Sequence, residues 1–118
     1  MADLTLAEAQ GLIQVLKRIL QEGKLALPKS GSIAKFELCS VFSEKDRFTV
    51  IANRSSKIRK DKYTLMLRYG KDKGLLRIDV GGPDHVNPDG TIVPCPHLHI
   101  QKKDSGAWDA WAAEIPAV

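Results

Sequence analysis

Leu6, Ala9, Leu12, Ile13, Leu16, Ile19 and Leu20 recur at three- and four-residue intervals, which is the period of one face of a helix. Thr5 and Glu8 stand three apart at the head of that run as a capping box, and Gly23 is placed to end it, so the pattern predicts a helix over residues 6–22. After the breakers Pro28 to Ser32 the period changes to two. Ile33 to Phe42, Arg47 to Asn53, Lys62 to Tyr69 and Leu75 to Val80 read as strands, with Phe48 and Val50, Leu65 and Leu67, and Leu76 and Ile78 each pointing one way. The connectors Ser43 to Asp46 and Gly70 to Gly74 are short and polar, as hairpin loops are, so the strands should form an antiparallel meander. Asn87-Pro88-Asp89-Gly90 fits a type I turn, and Thr91 to Val93 a short strand beyond it. In His97 to Gln101 the alternation turns Leu98 and Ile100 one way and His97, His99 and Gln101 the other. Trp108, Trp111 and Ile115 have helical spacing. The expected fold is therefore α+β, a single domain over residues 1–118: an N-terminal amphipathic helix on an antiparallel sheet of about five strands, with a short C-terminal helical tail.

A length of 118 residues, 43% hydrophobic and 27% charged, fits one globular domain and disfavours a disordered chain or a coiled coil. No apolar run approaches the roughly 18–20 residues of a membrane span, and Asp3 and Glu8 stand where a secretory signal would be basic and then apolar. A cytoplasmic protein is expected, with Cys39 and Cys95 as free thiols. Charge changes the picture more. From Lys45 to Asp79 eleven basic residues face four acidic ones, so this segment carries +7 while the rest of the chain carries −3. A basic stripe on a nearly balanced background is the footprint of a protein that meets phosphates; its plainer reading is a solvated face. Arg54, Lys57, Arg59, Lys60, Lys62 and Arg68 are the candidate contacts to a nucleic-acid backbone.

All three histidines fall between residues 85 and 99. If the Leu75 to Val80 strand pairs with the His97 strand, Arg77 and Asp79 join the imidazoles in one pocket. Such a set suits cleavage of a phosphodiester: His97 and His99 exchange protons, with His85 beside them, Arg77 steadies the phosphorane, and Asp79 orients an imidazole. That reading calls for no metal and no cofactor. Polar surface is the plain alternative. A metal site is another, since His85, His97 and His99 with Asp79 or Asp84 supply a three-His or two-His-one-carboxylate set, although no glutamate follows the H-x-H as in a cupin. Gly81-Gly82 lacks the Gly-Lys-Ser/Thr of a phosphate loop, and Phe48, Tyr63 and Tyr69 sit at core periods. Ser30, Ser32 and Ser55 belong to no nucleophile motif.

His97-Leu98-His99-Ile100-Gln101 resembles the H-x-H-x-Q of one branch of the histidine-triad fold. Arg77-Ile78-Asp79, His85-Val86-Asn87-Pro88-Asp89-Gly90 and Pro96-His97-Leu98-His99 together resemble a family of small, largely uncharacterised bacterial and prophage proteins with an R-x-D, H-x-N-P-D-G, P-H-x-H pattern. The same stretch loosely resembles the TumE family of plasmid toxins. These resemblances imply a toxin-antitoxin or mobile-element setting. The expectation is a small toxin, a metal-independent endoribonuclease acting on RNA and held in check by a cognate antitoxin or engaging a host protein. The alternative is a non-catalytic phage-encoded inhibitor or nucleic-acid-binding module.

Overall fold

A capping box opens the first element. Thr5 Oγ1 accepts from the Glu8 backbone N–H at 3.1 Å, and the Glu8 carboxylate accepts from the Thr5 backbone N–H at 2.9 Å, so two donors that a helix start leaves open are satisfied. The computed structural model describes residues 4–15, 17–19, 28–29, 31–54, 62–70, 72–102 and 107–115. It ends this helix, α1 (Leu6–Gln14), well short of residue 22. Lys17 supplies the reason. Its Nζ donates to the carbonyls of Leu12, Ile13 and Val15 at 2.8, 3.1 and 2.7 Å, so an ammonium takes acceptors at the negative end of the helix. Val15 is already extended, and the chain continues into strand β1 (Lys17–Ile19). Leu16, Leu20 and the expected cap Gly23 lie outside the described residues.

The following strands lie close to where the two-residue period places them: β2 (Ser32–Ser40), β3 (Arg47–Arg54), β4 (Tyr63–Tyr69), β5 (Lys73–Val80), β6 (His85–Val86), β7 (Ile92–Val93), β8 (His97–Ile100) and β9 (Ala112–Glu114). Seven of the nine form one sheet in the order β1-β2-β3-β4-β5-β8-β9, every pair antiparallel, while β6 and β7 pair only with each other. The sheet exceeds the expected five strands because two expected helical segments contribute a strand each. At the C-terminal end, Trp108 to Ala110 form a turn and β9 joins the free edge of β8, where unpaired backbone groups outweigh the helical spacing of Trp108, Trp111 and Ile115. The outer side of β9 is closed by Asn87, whose side chain accepts from Ala112 N–H at 2.8 Å and donates to Ala112 C=O at 3.1 Å. The expected type I turn forms: Gly90 N–H donates to the Asn87 carbonyl at 2.8 Å, and φ of +89° at Gly90 suits a residue without Cβ.

Register assigns the two faces. Phe48 stands opposite Tyr69, Val50 opposite Leu67, Leu67 opposite Leu76 and Leu76 opposite Ile100, so these residues share one face. Helix α1 lies on it, and Ala9, Phe48 and Leu75 make a buried hydrocarbon core flanked by Leu4, Leu12, Ile13, Val15, Leu38, Leu67 and Tyr69. Burying each large side chain there contributes about 1.5–3 kcal/mol. A bulge after the Leu67–Leu76 pair sets Arg68 opposite Gly74, which leaves Leu75 as an extra residue, fully buried in this core. Gly74 itself has no room for a side chain, because a Cβ there would overlap the Trp108 indole. No helix among the described residues is long and apolar enough to cross a membrane. Cys39 and Cys95 are free thiols.

Candidate functional site

Strands β5 and β8 are neighbours, with Arg77 opposite His99 and Asp79 opposite His97. The conditional pairing that the sequence suggested is thus the observed one. Alternation places these four residues on the face away from α1, and there the polar side of β8 proves to be its buried side. His97 is 3% and His99 1% exposed, while Leu98 and Ile100 are only partly covered. The cover comes from the β6–β7 hairpin and residues 109–112. His85, on β6, completes a triangle of imidazoles whose ring centroids lie 4.7 Å (His85–His99), 4.9 Å (His97–His99) and 5.9 Å (His85–His97) apart.

Asp79 is the hub. Arg77 donates to it twice, Nε to Oδ1 at 2.9 Å and an Nη to Oδ2 at 3.2 Å, and reaches Asp109 Oδ2 at 3.1 Å with its other Nη. His97 Nε2 donates to Asp79 Oδ2 at 3.2 Å. His99 Nδ1 lies 2.7 Å from the Asp109 carbonyl, which only accepts, so Nδ1 carries the proton. In the neutral ring Nε2 is then a lone pair. It stands 3.1 Å from Asp79 Oδ2 without a hydrogen bond, and His97 Nδ1 is also buried without a partner. His85 Nε2 is held by the Ala110 carbonyl at 2.8 Å.

Burial pushes the His99 imidazole below its ordinary range; the Asp109 carbonyl and the Asp79 charge pull it up, but Arg77 and His85 add to the downward shift. Asp79 moves down too: burial pushes it up, and the hydrogen bonds and charge of Arg77, with the two imidazoles, outweigh that.

These groups line a cavity of about 460 Å³ whose walls include Lys62, Thr64, Met66, Arg77, Asp84 and His85, with Asp79, His97 and His99 among its lining residues. Of the expected phosphate contacts, Lys62 is therefore at the imidazole site. Arg54 ends β3 and donates to the Pro28 carbonyl at 3.1 Å, and Arg68 lies on β4 with Nε 3.4 Å from Met66 Sδ. Lys57, Arg59 and Lys60 lie outside the described residues. Gln101 departs from the expected set, because its Nε2 donates to the Leu4 carbonyl beside α1. Asp109, which holds both Arg77 and His99, escaped sequence reasoning, because its partners are 10 and 32 residues away. Asn87 was legible as a turn residue, but its tie from the hairpin to β9, 25 residues on, was not.

A family model described as a family of unknown function (DUF6978) matches residues 4–118, and the chain belongs to that family. No curated protein and no solved structure matches it.

Proposed function

We propose that this DUF6978 chain is a small nucleic-acid-directed toxin of a toxin-antitoxin or mobile-element system, an endoribonuclease that works from the imidazole cavity. One observation carries the reading: three imidazoles, the carboxylates of Asp79 and Asp84 and the cations Arg77 and Lys62 converge on a single cavity. The loose resemblance to TumE-type toxins points the same way. A cognate antitoxin would then cover the basic segment.

In such cleavage one imidazole takes the ribose 2′-hydroxyl proton as the oxygen bonds to phosphorus. A second gives a proton to the departing 5′-oxygen, leaving a cyclic phosphate and a free hydroxyl. The pattern alone suggests His97 and His99 for the proton exchange and Arg77 for the phosphate; the distances favour a different allotment. Arg77 is shared between two carboxylates and acts mainly by positioning Asp79, so the exposed Lys62 is the better-placed cation for phosphate. His85 is less buried than the other two rings, and its Nε2 bond to Ala110 leaves Nδ1 as the basic nitrogen. It is the proton acceptor best placed for an incoming substrate.

The test is cleavage of end-labelled RNA by purified protein, with His85→Ala, His97→Ala and Lys62→Ala run alongside, each with and without chelator. Loss of cleavage in His85→Ala and His97→Ala, with circular dichroism unchanged, is the expected result. Undiminished cleavage in both variants would falsify the assignment. A second reading, a non-catalytic module that blocks a nucleic-acid machine, is favoured by the near-complete burial of His97 and His99. No cleavage of any RNA, with protein-partner binding unaffected by these substitutions, selects it.

A further inference from the structure

Two acceptors do not face each other in a buried site without a cost. His99 Nδ1 is committed to the Asp109 carbonyl at 2.7 Å, so the lone pair on Nε2 is set 3.1 Å from the Asp79 Oδ2 carboxylate oxygen. His97 Nε2 lies 3.2 Å from the same Oδ2 and becomes a ligand atom once its proton moves to Nδ1, which has no other partner. Both side chains are more than nine-tenths buried, and each of the three residues offers one donor atom with all three atoms within 4.8 Å of one another. In a tetrahedral site with bonds of about 2.0–2.1 Å, neighbouring ligand atoms are roughly 3.4 Å apart, close to the 3.1 and 3.2 Å that separate Asp79 Oδ2 from His99 Nε2 and His97 Nε2.

We propose that Asp79, His97 and His99 bind one divalent first-row transition-metal ion, of the Zn²⁺ class, through one carboxylate oxygen and one nitrogen of each imidazole. This stands on the geometry of the three residues and goes beyond the ribonuclease reading. Two imidazoles with one carboxylate suit such an ion better than Mg²⁺ or Ca²⁺, which prefer oxygen throughout. The surroundings fit as well. A ligand histidine usually donates its other N–H to a carbonyl or carboxylate, as His99 does to Asp109, and a ligand carboxylate is usually steadied by a hydrogen bond, as Asp79 is by Arg77. The charges of Arg77 and Lys62 do not exclude a cation, because Asp109 shares Arg77 and Asp84 joins Asp79 in the cavity walls, so three carboxylates stand against two cations. With three protein ligands the ion keeps a coordination position for water or substrate, the arrangement of catalytic rather than structural sites.

The experiment uses the full chain, stripped with chelator and dialysed, then titrated with Zn²⁺ by isothermal calorimetry, with bound metal counted by elemental analysis. Wild type is expected to take up one Zn²⁺ per chain and to melt at a higher temperature with Zn²⁺ present. Asp79→Asn, which keeps the side-chain shape, and His99→Gln, which keeps a polar side chain of similar length, are each expected to weaken binding by about 100-fold or more. Folded wild type that takes up no Zn²⁺ overturns the site, whatever the variants do. So does Zn²⁺ uptake that both variants retain at full affinity. RNA cleavage on the same samples separates the two proposals: one Zn²⁺ bound without cleavage leaves the site and removes the ribonuclease, and cleavage without metal uptake does the reverse.

Discussion

The two faces of the sheet are closed by opposite chemistry. Beneath α1 the contacts are hydrocarbon: Ala9 and Phe48 are 1% exposed and Leu75 is 0%. On the other face, under the β6–β7 hairpin and residues 109–112, His97 and His99 are also deeply buried, His97 held by the Asp79 carboxylate and His99 by the Asp109 carbonyl, while Arg77 steadies Asp79. The hydrocarbon side gains from every apolar surface it hides and depends little on which partners meet. The polar side gains only when each donor finds its acceptor, and an unmatched atom there costs about 1–3 kcal/mol. A fold that places such a cluster opposite its apolar core leaves the polar atoms free for a ligand while the core carries stability.

Breaking the hydrocarbon side should cost most. Phe48→Ala removes a fully buried ring packed 5.3 Å from Tyr69, and a loss of about 3–5 kcal/mol is expected in urea unfolding, nearly independent of pH. Asp79→Asn strikes the polar hub and should cost about 2–3 kcal/mol, because His97 and Arg77 lose a charged partner while Arg77 keeps Asp109. Gly74→Ala should cost about 1–3 kcal/mol by driving the Trp108 indole away from β5. If Trp108 moves without loss of stability, the turn before β9 is not packed as described. Thr5→Ala, which removes the cap of α1, should cost about 1 kcal/mol, read as a lower urea midpoint.

The pH profile separates the faces most cleanly. In chelator-treated protein, Asp79 has a folded pKa below its ordinary value, so its contribution is present above about pH 4 and is lost as pH falls through the folded value. His99 is also lowered. Unfolded protein therefore binds its proton first, and stability falls as pH drops from about 6.5 toward the folded value. Both groups destabilise toward acid. The urea midpoint should decline below about pH 6.5 in wild type, and His99→Gln should flatten the upper part of that decline. An unchanged profile in His99→Gln would assign the decline to other groups.

Much of this was written locally. The capping box, the period-two strands and the Asn87 turn are short-range patterns in which side-chain type follows backbone geometry, whereas the pairing of the Arg77 strand with the His97 strand entered only as a condition. The errors were also local in origin. Ile19 continues the apolar repeat that suits a helix from residue 6 onward, yet Lys17 caps α1 and residues 17–19 pair with β2. Trp108, Trp111 and Ile115 suit a helix too, and the open edge of β8 takes Ala112–Glu114 as a strand. Propensity is a weak prior, and an unpaired sheet edge overrides it.

Within each strand the alternation alone puts Arg77 and Asp79 on one face of β5 and His97 and His99 on one face of β8, because a period of two follows from backbone geometry. The pairing of β5 with β8, the burial of their shared polar face, the approach of His85 and the commitment of the His99 proton to the Asp109 carbonyl follow only from how the chain folds back on itself. Those facts depend on where the hairpin and the C-terminal strand fold back, and no local pattern encodes contacts between residues ten to thirty apart.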